Sequence, residues 1–452
     1  MPQTAAHPTG QLRNIIGAFA DRLASRKTRY VFCVAMIYAL PIQTFTTPTL
    51  ETTNNPSIDS LVLVKLAILA FSIFGGLALL YCSRRSPQTQ ETTKRLLPFC
   101  CFFGWCLLTV TWSPMKAYSL SQAGGLASLI ILANHLGALA SDKITMSRLM
   151  RHLCYSLIAF SGFILAVHIV DPDLSGLDRK ILHQGGDGIV HPTASGASSG
   201  LGVALAVLGL TVMKFPWSKH VVLLTMLINV PVMYLSHSRS ATAMTVAVIA
   251  LAVFWFTSVR TKAVLAFLAS LFCVVYVAID PGFTLLGSTF DRGLEYLTRG
   301  QDVSQLKGAS GRREMWTAIW AEYRHSPVCG HGYAITSRNG EIEVWNIVAN
   351  HTAHNLILQI LASTGLVGLC LFLFAVGKAT VSALQLFRSD RFSRHLAALF
   401  ALMALWFVGW SFGCVSFIGP LRSESVVFYS LLGLCLGEME RSRLRQIAAE
   451  TR

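Results

Sequence analysis

The chain has 452 residues, of which 53% are apolar and only 13% are charged, whereas roughly a quarter of the residues of a soluble domain are charged. This composition excludes an ordinary soluble fold. The formal net charge of +15 does not indicate a protein that binds nucleic acid, because the Lys and Arg residues lie in short segments between apolar runs and not on one surface. The sequence therefore predicts a polytopic membrane protein whose positive charges set its orientation in the bilayer.

Apolar runs recur along the whole chain, and about 20 residues are enough to cross a membrane as a helix. We predict an all-α fold with about twelve spans, at residues 30–47, 61–82, 96–112, 117–140, 149–170, 198–214, 219–235, 240–258, 261–280, 353–378, 395–418 and 424–437. This divides the chain into a bundle of spans 1–9 (1–280), a long loop (281–352), spans 10–12 (353–437) and a tail (438–452).

Alternate segments between the spans are basic. They are residues 22–29, 84–95, 143–151, 214–219, 260–262, 378–394 and the segment from 441 onward. The positive-inside rule predicts that these segments and both termini are cytoplasmic. The first apolar run contains Pro41 and is followed by no small-residue cleavage site, which favours an uncleaved span over a signal peptide.

The loop at 281–352 is predicted to face the opposite, periplasmic side and to contain a helix. Met315, Ile319 and Tyr323 recur at helical spacing, with Trp316 and Trp320 alongside. Loops longer than about 15 residues are more often functional than structural. We therefore expect this loop, between spans 9 and 10, to carry part of a functional site.

Two groups of arginines are predicted on the same outer side. Arg239 lies in the tight turn between spans 7 and 8, where an arginine between apolar helices is costly unless it reaches water or an anion. This favours a ligand-facing role for Arg239, with anchoring to lipid headgroups as the alternative. Arg312 and Arg313 lie on the predicted loop helix, where the alternative is that both are simply solvated.

A His-Asn pair, His354 and Asn355, precedes the apolar run of span 10. Histidine is well suited to accept a proton near neutral pH, and a helix N-terminus favours a nearby anion. These properties indicate a catalytic role for His354. The alternative is a histidine that starts the helix and bonds to a backbone group.

Four short motifs in this region resemble those of one known family. They are Ser238-Arg239-Ser240-Ala241 (S-R-S-A), Gly311-Arg312 with Trp316 (G-R-x-x-x-W), Pro327 with Gly330-His331-Gly332 (P-x-x-G-x-G), and His354-Asn355 followed after nine residues by Gly365-Leu366-Val367-Gly368 (H-[NSQ]-x9-G-x-x-[GTY]). Together, and in this order, they resemble the signature of O-antigen ligases and their polymerase relatives.

The resemblance implies a GT-C-like fold and a metal-independent, cofactor-free transfer reaction. Enzymes of this family take a glycan from undecaprenyl diphosphate at the outer face of the bacterial inner membrane and join it, with inversion, to a hydroxyl of a lipid or glycan acceptor. The expected partners are therefore this donor, the acceptor and membrane lipids. The motifs are shared by ligases and polymerases, and we favour a ligase slightly.

Roles for individual residues follow from the resemblance. Arg239 and Arg312 are expected to bind the diphosphate, because the guanidinium group matches phosphate oxygens and stays protonated. His354 is expected to take the proton from, or orient, the acceptor hydroxyl. Asn355, Arg313 and Trp316 are expected to bind substrate, and no metal-binding residue is predicted.

Other patterns keep alternatives open. Asp171-Pro172-Asp173 matches a D-x-D pattern that can hold a divalent cation. Ser236-His237-Ser238 offers a nucleophilic serine, although no G-x-S-x-G elbow surrounds it.

Two further features concern the loops and the spans. The Gly-rich stretch flanked by His183 and His191 is either a gate or, as we favour, a connector. His135, inside span 4, requires a polar partner that the sequence does not identify. A transporter or flippase of the same glycolipid would instead show charged residues within the spans and an internal repeat, whereas the polar residues gather at the outer boundary.

Overall fold

Long helices dominate the computed structural model, which describes residues 25–46, 60–140, 142–177, 188–264, 312–340, 342–344, 347–349, 352–415, 418 and 421–450. The helices are α1 (Arg26–Ala39), α2 (Ser60–Ser83), α3 (Pro87–Thr109), α4 (Lys116–Leu139), α5 (Lys143–Val170), α6 (Pro192–Thr211), α7 (Ser218–Leu235), α8 (Arg239–Phe256), α9 (Arg312–Tyr323), α10 (Leu356–Gln385), α11 (Arg391–Ser411) and α12 (Ser423–Glu450).

Nine of the helices in the described ranges are long and apolar enough to cross a membrane, which confirms an all-α polytopic membrane protein. α1 and α12 match the predicted first and last spans but are not among the nine. α1 has only 14 residues and gives way to a 3-10 helix at Pro41, and α12 carries charges in its second half. The predicted span 261–280 lies outside the described residues from 265 onward, so the number of spans remains a prediction.

The helices divide into a buried centre and an exposed periphery. α4 and α6 are largely buried, whereas α2, α7 and α8 expose most of their apolar residues, as expected for a surface that contacts lipid chains. α12 packs along α4, where Gly433 lies against the backbone of Ala133 and Gly437 against that of Gly137. Small residues allow such close approach of helices in a membrane.

His135 on α4 has the partner that the sequence left open. Its Nε2 lies 3.1 Å from the carbonyl oxygen of Gly76, next to the π-helical stretch Phe71–Gly75 of α2. The imidazole is fully buried and therefore serves to join α4 to α2.

The predicted boundary between the last span and the tail, at 437/438, falls inside α12. The helix continues to Glu450 because its first charged residues are compensated within the bundle. Glu438 is fully buried, pairs with Arg441 and accepts a 2.6 Å hydrogen bond from Ser393 of α11. Paired charges of this kind allow a helix to stay packed beyond its apolar segment.

α9 confirms the helix predicted within the long loop. Met315 and Ile319 are buried in a small apolar cluster with Ile342, Ala353 and Ala362. An antiparallel pair of short strands, β1 (Ile342–Val344) and β2 (Ile347–Ala349), follows α9 and was not predicted. The first part of the loop, 281–311, lies outside the described residues.

α10 is broken at Gly365, whose backbone is not helical (φ 68°, ψ −170°). The polar groups freed by the break are bonded to neighbouring segments, as buried backbone groups require. Leu366 N–H donates to the carbonyl of Pro327 at 2.9 Å and Gly332 N–H donates to that of Ser363 at 2.9 Å. The indole of Trp105 on α3 donates to the carbonyl of Thr364 at 2.9 Å.

The break explains why two motif glycines are needed. Gly330 and Gly365 both have positive φ, and a Cβ atom on Gly365 would lie 2.1 Å from the carbonyl oxygen of Val328. A Cβ atom on Gly330 would lie 2.4 Å from the carbonyl carbon of Ser363. The P-x-x-G-x-G turn and the glycine that follows His354 are thus two sides of one backbone contact.

We expect Gly365→Ala to destabilise the protein by about 3 kcal/mol or more, since the substitution combines positive φ with a backbone clash. The thermal unfolding midpoint of the purified protein in detergent measures the effect. Gly377→Ala is the matched control, because Gly377 lies on the same helix with nothing within 4 Å of the added carbon and alanine favours the helix. Equal midpoints for the two variants would contradict this account.

Candidate active site at the helix N-termini

Several helices begin at one end of the bundle. Short turns join α6 to α8 through α7, and α10 to α12 through α11, so that α6 and α8 start on one side, as do α10 and α12. Gly413, between α11 and α12, lies close to Ser240 at the start of α8, which places both pairs of helix starts at the same end of the bundle. Helix N-termini carry free N–H groups and a partial positive charge, both of which favour anions. Residues at or beside these N-termini interact electrostatically with one another: His354 with Arg422 and His191, and Arg239 with Arg312 of α9.

Arg312 reaches from α9 over the bundle. A carbon atom added to Gly413, just after α11, would lie 3.1 Å from Arg312 Nη1 and 3.7 Å from the Ser240 hydroxyl of α8. Within the described ranges, Arg312 forms no ion pair. Its guanidinium group therefore lies between α8 and α11, and no carboxylate among the described residues pairs with it.

Arg239 is the first residue of α8 and follows a tightly packed turn. A carbon atom added to Gly196 of α6 would lie 2.3 Å from Ser238 Cβ and 2.5 Å from the Ser236 hydroxyl. This contact fixes the turn that presents the half-buried Arg239. Ser236 donates its hydroxyl to the carbonyl of Met233 at 2.8 Å. The two serines thus serve to pack the turn, which leaves the nucleophilic-serine alternative without support.

His354 is positioned by bonds on both of its neighbours. The N–H of Ala353 donates to Gln359 Oε1 at 2.7 Å, and the carbonyl of Ala353 accepts from Trp316 Nε1 at 2.8 Å. Asn355 caps α10 by accepting from the N–H of Leu358 at 3.0 Å. His354 itself has φ 47°, a conformation uncommon for residues other than glycine. The imidazole is thereby held outside the helix.

His354 is neutral at physiological pH. Burial, together with electrostatic interactions with Arg312, Arg422 and His191, lowers the pKa of His354 from 6.5 to about 4. A neutral imidazole can accept a proton or a hydrogen bond. The site therefore pairs a ring of positive charge with a neutral base.

Arg422 is a site residue that the sequence analysis missed. It is half-buried just before α12 and interacts electrostatically with His354 and with the buried carboxylate of Glu424. One signal in the sequence would have found it, because Arg422 lies alone between two apolar runs, as Arg239 does. His191, expected in a connector, also belongs to the site as the residue that caps α6.

The remaining predicted site residues surround a cleft beside His354. Arg313, Trp316, Thr317, Trp320, Asn355 and Leu358 line this cleft, which has a volume of about 380 Å³. Arg313, Trp316 and Asn355 thus line the cleft, whereas Arg239, Arg312 and His354 do not line it and are linked by electrostatic interactions. The roles of these residues remain predictions.

The D-x-D pattern has a local structural role. Asp171 ends α5 and accepts the N–H of Leu174 at 3.0 Å, capping a one-turn helix at Pro172–Ser175. Across the part of the chain that the structure describes, no three His, Cys, Asp or Glu side chains come together as metal ligands would. His183 lies outside the described residues.

Residues 221–373 match the family model described as O-antigen ligase. This segment contains α8, α9 and the start of α10, with Arg239, Arg312 and His354, whereas Arg422 and His191 lie outside it. None of the curated proteins matches the chain.

Proposed function

We propose that this chain, whose residues 221–373 match the family model described as O-antigen ligase, transfers a glycan from undecaprenyl diphosphate to an acceptor hydroxyl. Members of this family are membrane glycan ligases or polymerases that act on lipid-linked glycans. The finer assignment proposed here is a ligase at the periplasmic face of the inner membrane that assembles a surface polysaccharide.

The observation that carries the proposal is the group of arginines beside a neutral histidine. When the glycosidic bond to the lipid diphosphate breaks, negative charge grows on the leaving phosphate. Positioned cations stabilise that charge in the transition state without rearranging. Arg239, Arg312 and Arg422 would bind the phosphate oxygens, and guanidinium groups do so through paired hydrogen bonds.

His354 would supply the acid–base step. Its neutral imidazole accepts the proton of the acceptor hydroxyl as that oxygen attacks the anomeric carbon. An attack from the side opposite to the diphosphate inverts the anomeric centre. The arginines provide the positive charge that the leaving group requires, so we propose that the reaction proceeds without a metal ion.

The surrounding helices suit a lipid donor. α8 and its neighbour α7 expose apolar side chains such as Leu223, Leu227, Val246 and Phe254, against which a polyprenyl chain would lie. At the opposite end of the bundle, basic residues lie in or directly next to the turns: Lys214, Lys219, Arg388, Arg391 and Arg394. Their position supports cytoplasmic termini and a periplasmic site.

The pool of undecaprenyl-linked glycan in cells that lack the protein, resolved by chain length, tests the proposal. Accumulation of long chains is the expected result and indicates a ligase, whereas accumulation of single repeat units would indicate a polymerase. An unchanged pool would overturn the proposal. Transfer by the purified protein in detergent, where no gradient exists, separates an enzyme from a transporter.

A further inference from the structure

α9 presents two different faces to the site. Arg312, Met315 and Ile319 lie on the face directed at the bundle, and Met315 and Ile319 are buried there. Arg313, Trp316, Thr317 and Trp320 follow the spacing i, i+3, i+4 and i+7, which places them along one adjacent stripe. Since consecutive helical residues point about 100° apart, Arg312 and Arg313 serve different regions. The second stripe lines the cleft beside His354.

The cleft is aromatic with a polar edge. The indole of Trp316 is fixed by its bond to Ala353, and Trp320, 47% exposed, packs against Tyr323 with ring centroids 5.1 Å apart. Asn355 uses its Oδ1 to cap α10, which leaves its amino group to donate to a ligand. The volume of about 380 Å³ falls within the range of roughly 300–1,000 Å³ typical of small-molecule sites.

This chemistry matches a sugar ring. A pyranose has an apolar face of C–H groups and a rim of hydroxyl groups. Its face stacks on the flat, apolar surface of an aromatic side chain, while its hydroxyls accept hydrogen bonds from groups such as the Asn355 amide and the Arg313 guanidinium.

The position of the cleft indicates whether the bound sugar belongs to the donor or to the acceptor. Asn355 lines it and directly follows His354, and Trp316 lines it while holding the carbonyl that precedes His354. The guanidinium of Arg312 lies beside Gly413 and Ser240 and does not line the cleft. In an inverting transfer the acceptor enters opposite the leaving diphosphate, so the aromatic cleft is on the side of the acceptor.

We propose that the cleft between α9 and the start of α10 is the acceptor subsite, which stacks a sugar ring of the acceptor glycan against Trp316 and Trp320. The proposal rests on the proposed function, because it assigns one substrate of that reaction. It makes Trp320, on which the sequence analysis placed no role, a determinant of acceptor binding.

Binding of lipid-free glycans to the full-length protein with His354→Ala tests the proposal, because this variant does not turn the ligand over. Two probes are used separately: the core oligosaccharide of lipopolysaccharide, and the repeat-unit glycan released from its diphosphate by mild acid. Both come from the host strain lacking the gene. We expect Trp320→Ala to raise the Kd of whichever probe binds by about tenfold, and Trp320→Tyr to restore most of the affinity.

Undecaprenyl diphosphate without a glycan is the internal control. Its Kd should not change in Trp320→Ala, because Arg239, Arg312 and Arg422, which would bind it, do not line the cleft that contains Trp320. Phe412→Ala, which removes an aromatic side chain that is 67% exposed just after α11, should leave both affinities unchanged. This second control separates a sugar contact from anchoring in the membrane interface, where exposed aromatic residues also accumulate.

Three results would overturn the acceptor subsite: no glycan binding by the starting protein, an unchanged glycan Kd in Trp320→Ala, or an equal loss of undecaprenyl diphosphate binding. Failure of the proposed function is recognised differently. A wild-type protein that binds glycan at Trp320 yet transfers none from the lipid-linked donor would count against the transferase assignment and leave the sugar site in place.

Discussion

Replacement of Arg312 with alanine is expected to lower kcat/KM for glycan transfer by roughly 100- to 1,000-fold, the range found when one preorganised group that stabilises transition-state charge is removed. Arg312 lies between α8 and α11 with no ion pair among the described residues. Its charge is therefore available to the diphosphate. Arg312→Lys should recover part of the rate, because lysine keeps the charge but lacks the planar fork.

The measurement is transfer by purified protein from the extracted lipid-linked donor, with protein yield and unfolding midpoint recorded for each variant. Arg324→Ala is the matched control, since Arg324 lies just after the same helix and its side chain is exposed. We expect Arg324→Ala to match the wild type. An Arg312→Ala protein that is folded and keeps more than about a tenth of the wild-type kcat/KM would contradict the role assigned to Arg312.

Replacement of His354 with alanine is expected to lower kcat by roughly 10²- to 10⁴-fold, the usual contribution of a general base. The pH profile gives a sharper test. The pKa of His354 is lowered to about 4 and the neutral form is the reactive one, so activity should be lost as the pH falls through about 4. The profile of kcat/KM, which reports the free enzyme, should therefore stay level from pH 7 down to about 5.

A charge variant tests the cause of this low pKa. Arg422→Gln removes one of the positive charges that lower the pKa of His354, so the acidic limb of kcat/KM should move to higher pH. The acidic limb of the kcat profile reports the pKa of His354 in the enzyme–substrate complex. It should lie at higher pH than the limb of kcat/KM, because the negative charge of the bound diphosphate raises the pKa of His354. A wild-type limb at the ordinary histidine pKa of about 6.5 would contradict the assignment.

The sequence predicts those parts of the fold that depend on local pattern. Apolar length locates α2 to α8 and α10 to α12, and the spacing of Met315, Ile319 and Tyr323 locates α9. These features depend on segments of one helix, where hydrophobic periodicity is a direct signal. The break at Gly365 has no such signal, because Ser363, Thr364 and Gly365 interrupt the apolar run only briefly and the run as a whole has the length of one continuous helix.

The candidate site is predictable only in part, for the same reason. Arg239, Arg312 and His354 stand out because each is polar at the edge of an apolar run or lies in a motif. Gln359 does not, although its amide is buried and bonds to both Ala353 and Ala334. Its importance follows from contacts across a turn, which the spacing of residues along the chain does not reveal.

Arg422 shows the same limit over a longer distance. Arg422 directly precedes α12, whereas Arg312 begins α9. The packing of α12 in the centre of the bundle brings Arg422 to the site. An arginine between apolar helices is energetically costly unless it reaches water or an anion, and this reasoning applies to Arg422 as it does to Arg239. What the sequence lacks is any indication that Arg312 and Arg422 both lie close to His354.

Because several helices begin at this site, the matched segment cannot be separated from the rest of the chain without loss of site residues. The matched segment of residues 221–373 brings Arg239, Arg312 and His354, but α6 and α12 contribute His191 and Arg422 from outside it. A fragment cut to the matched segment would keep the motif residues but lose Arg422 and His191, which interact electrostatically with His354. The matched segment is thus one component of the candidate site and not a separable module.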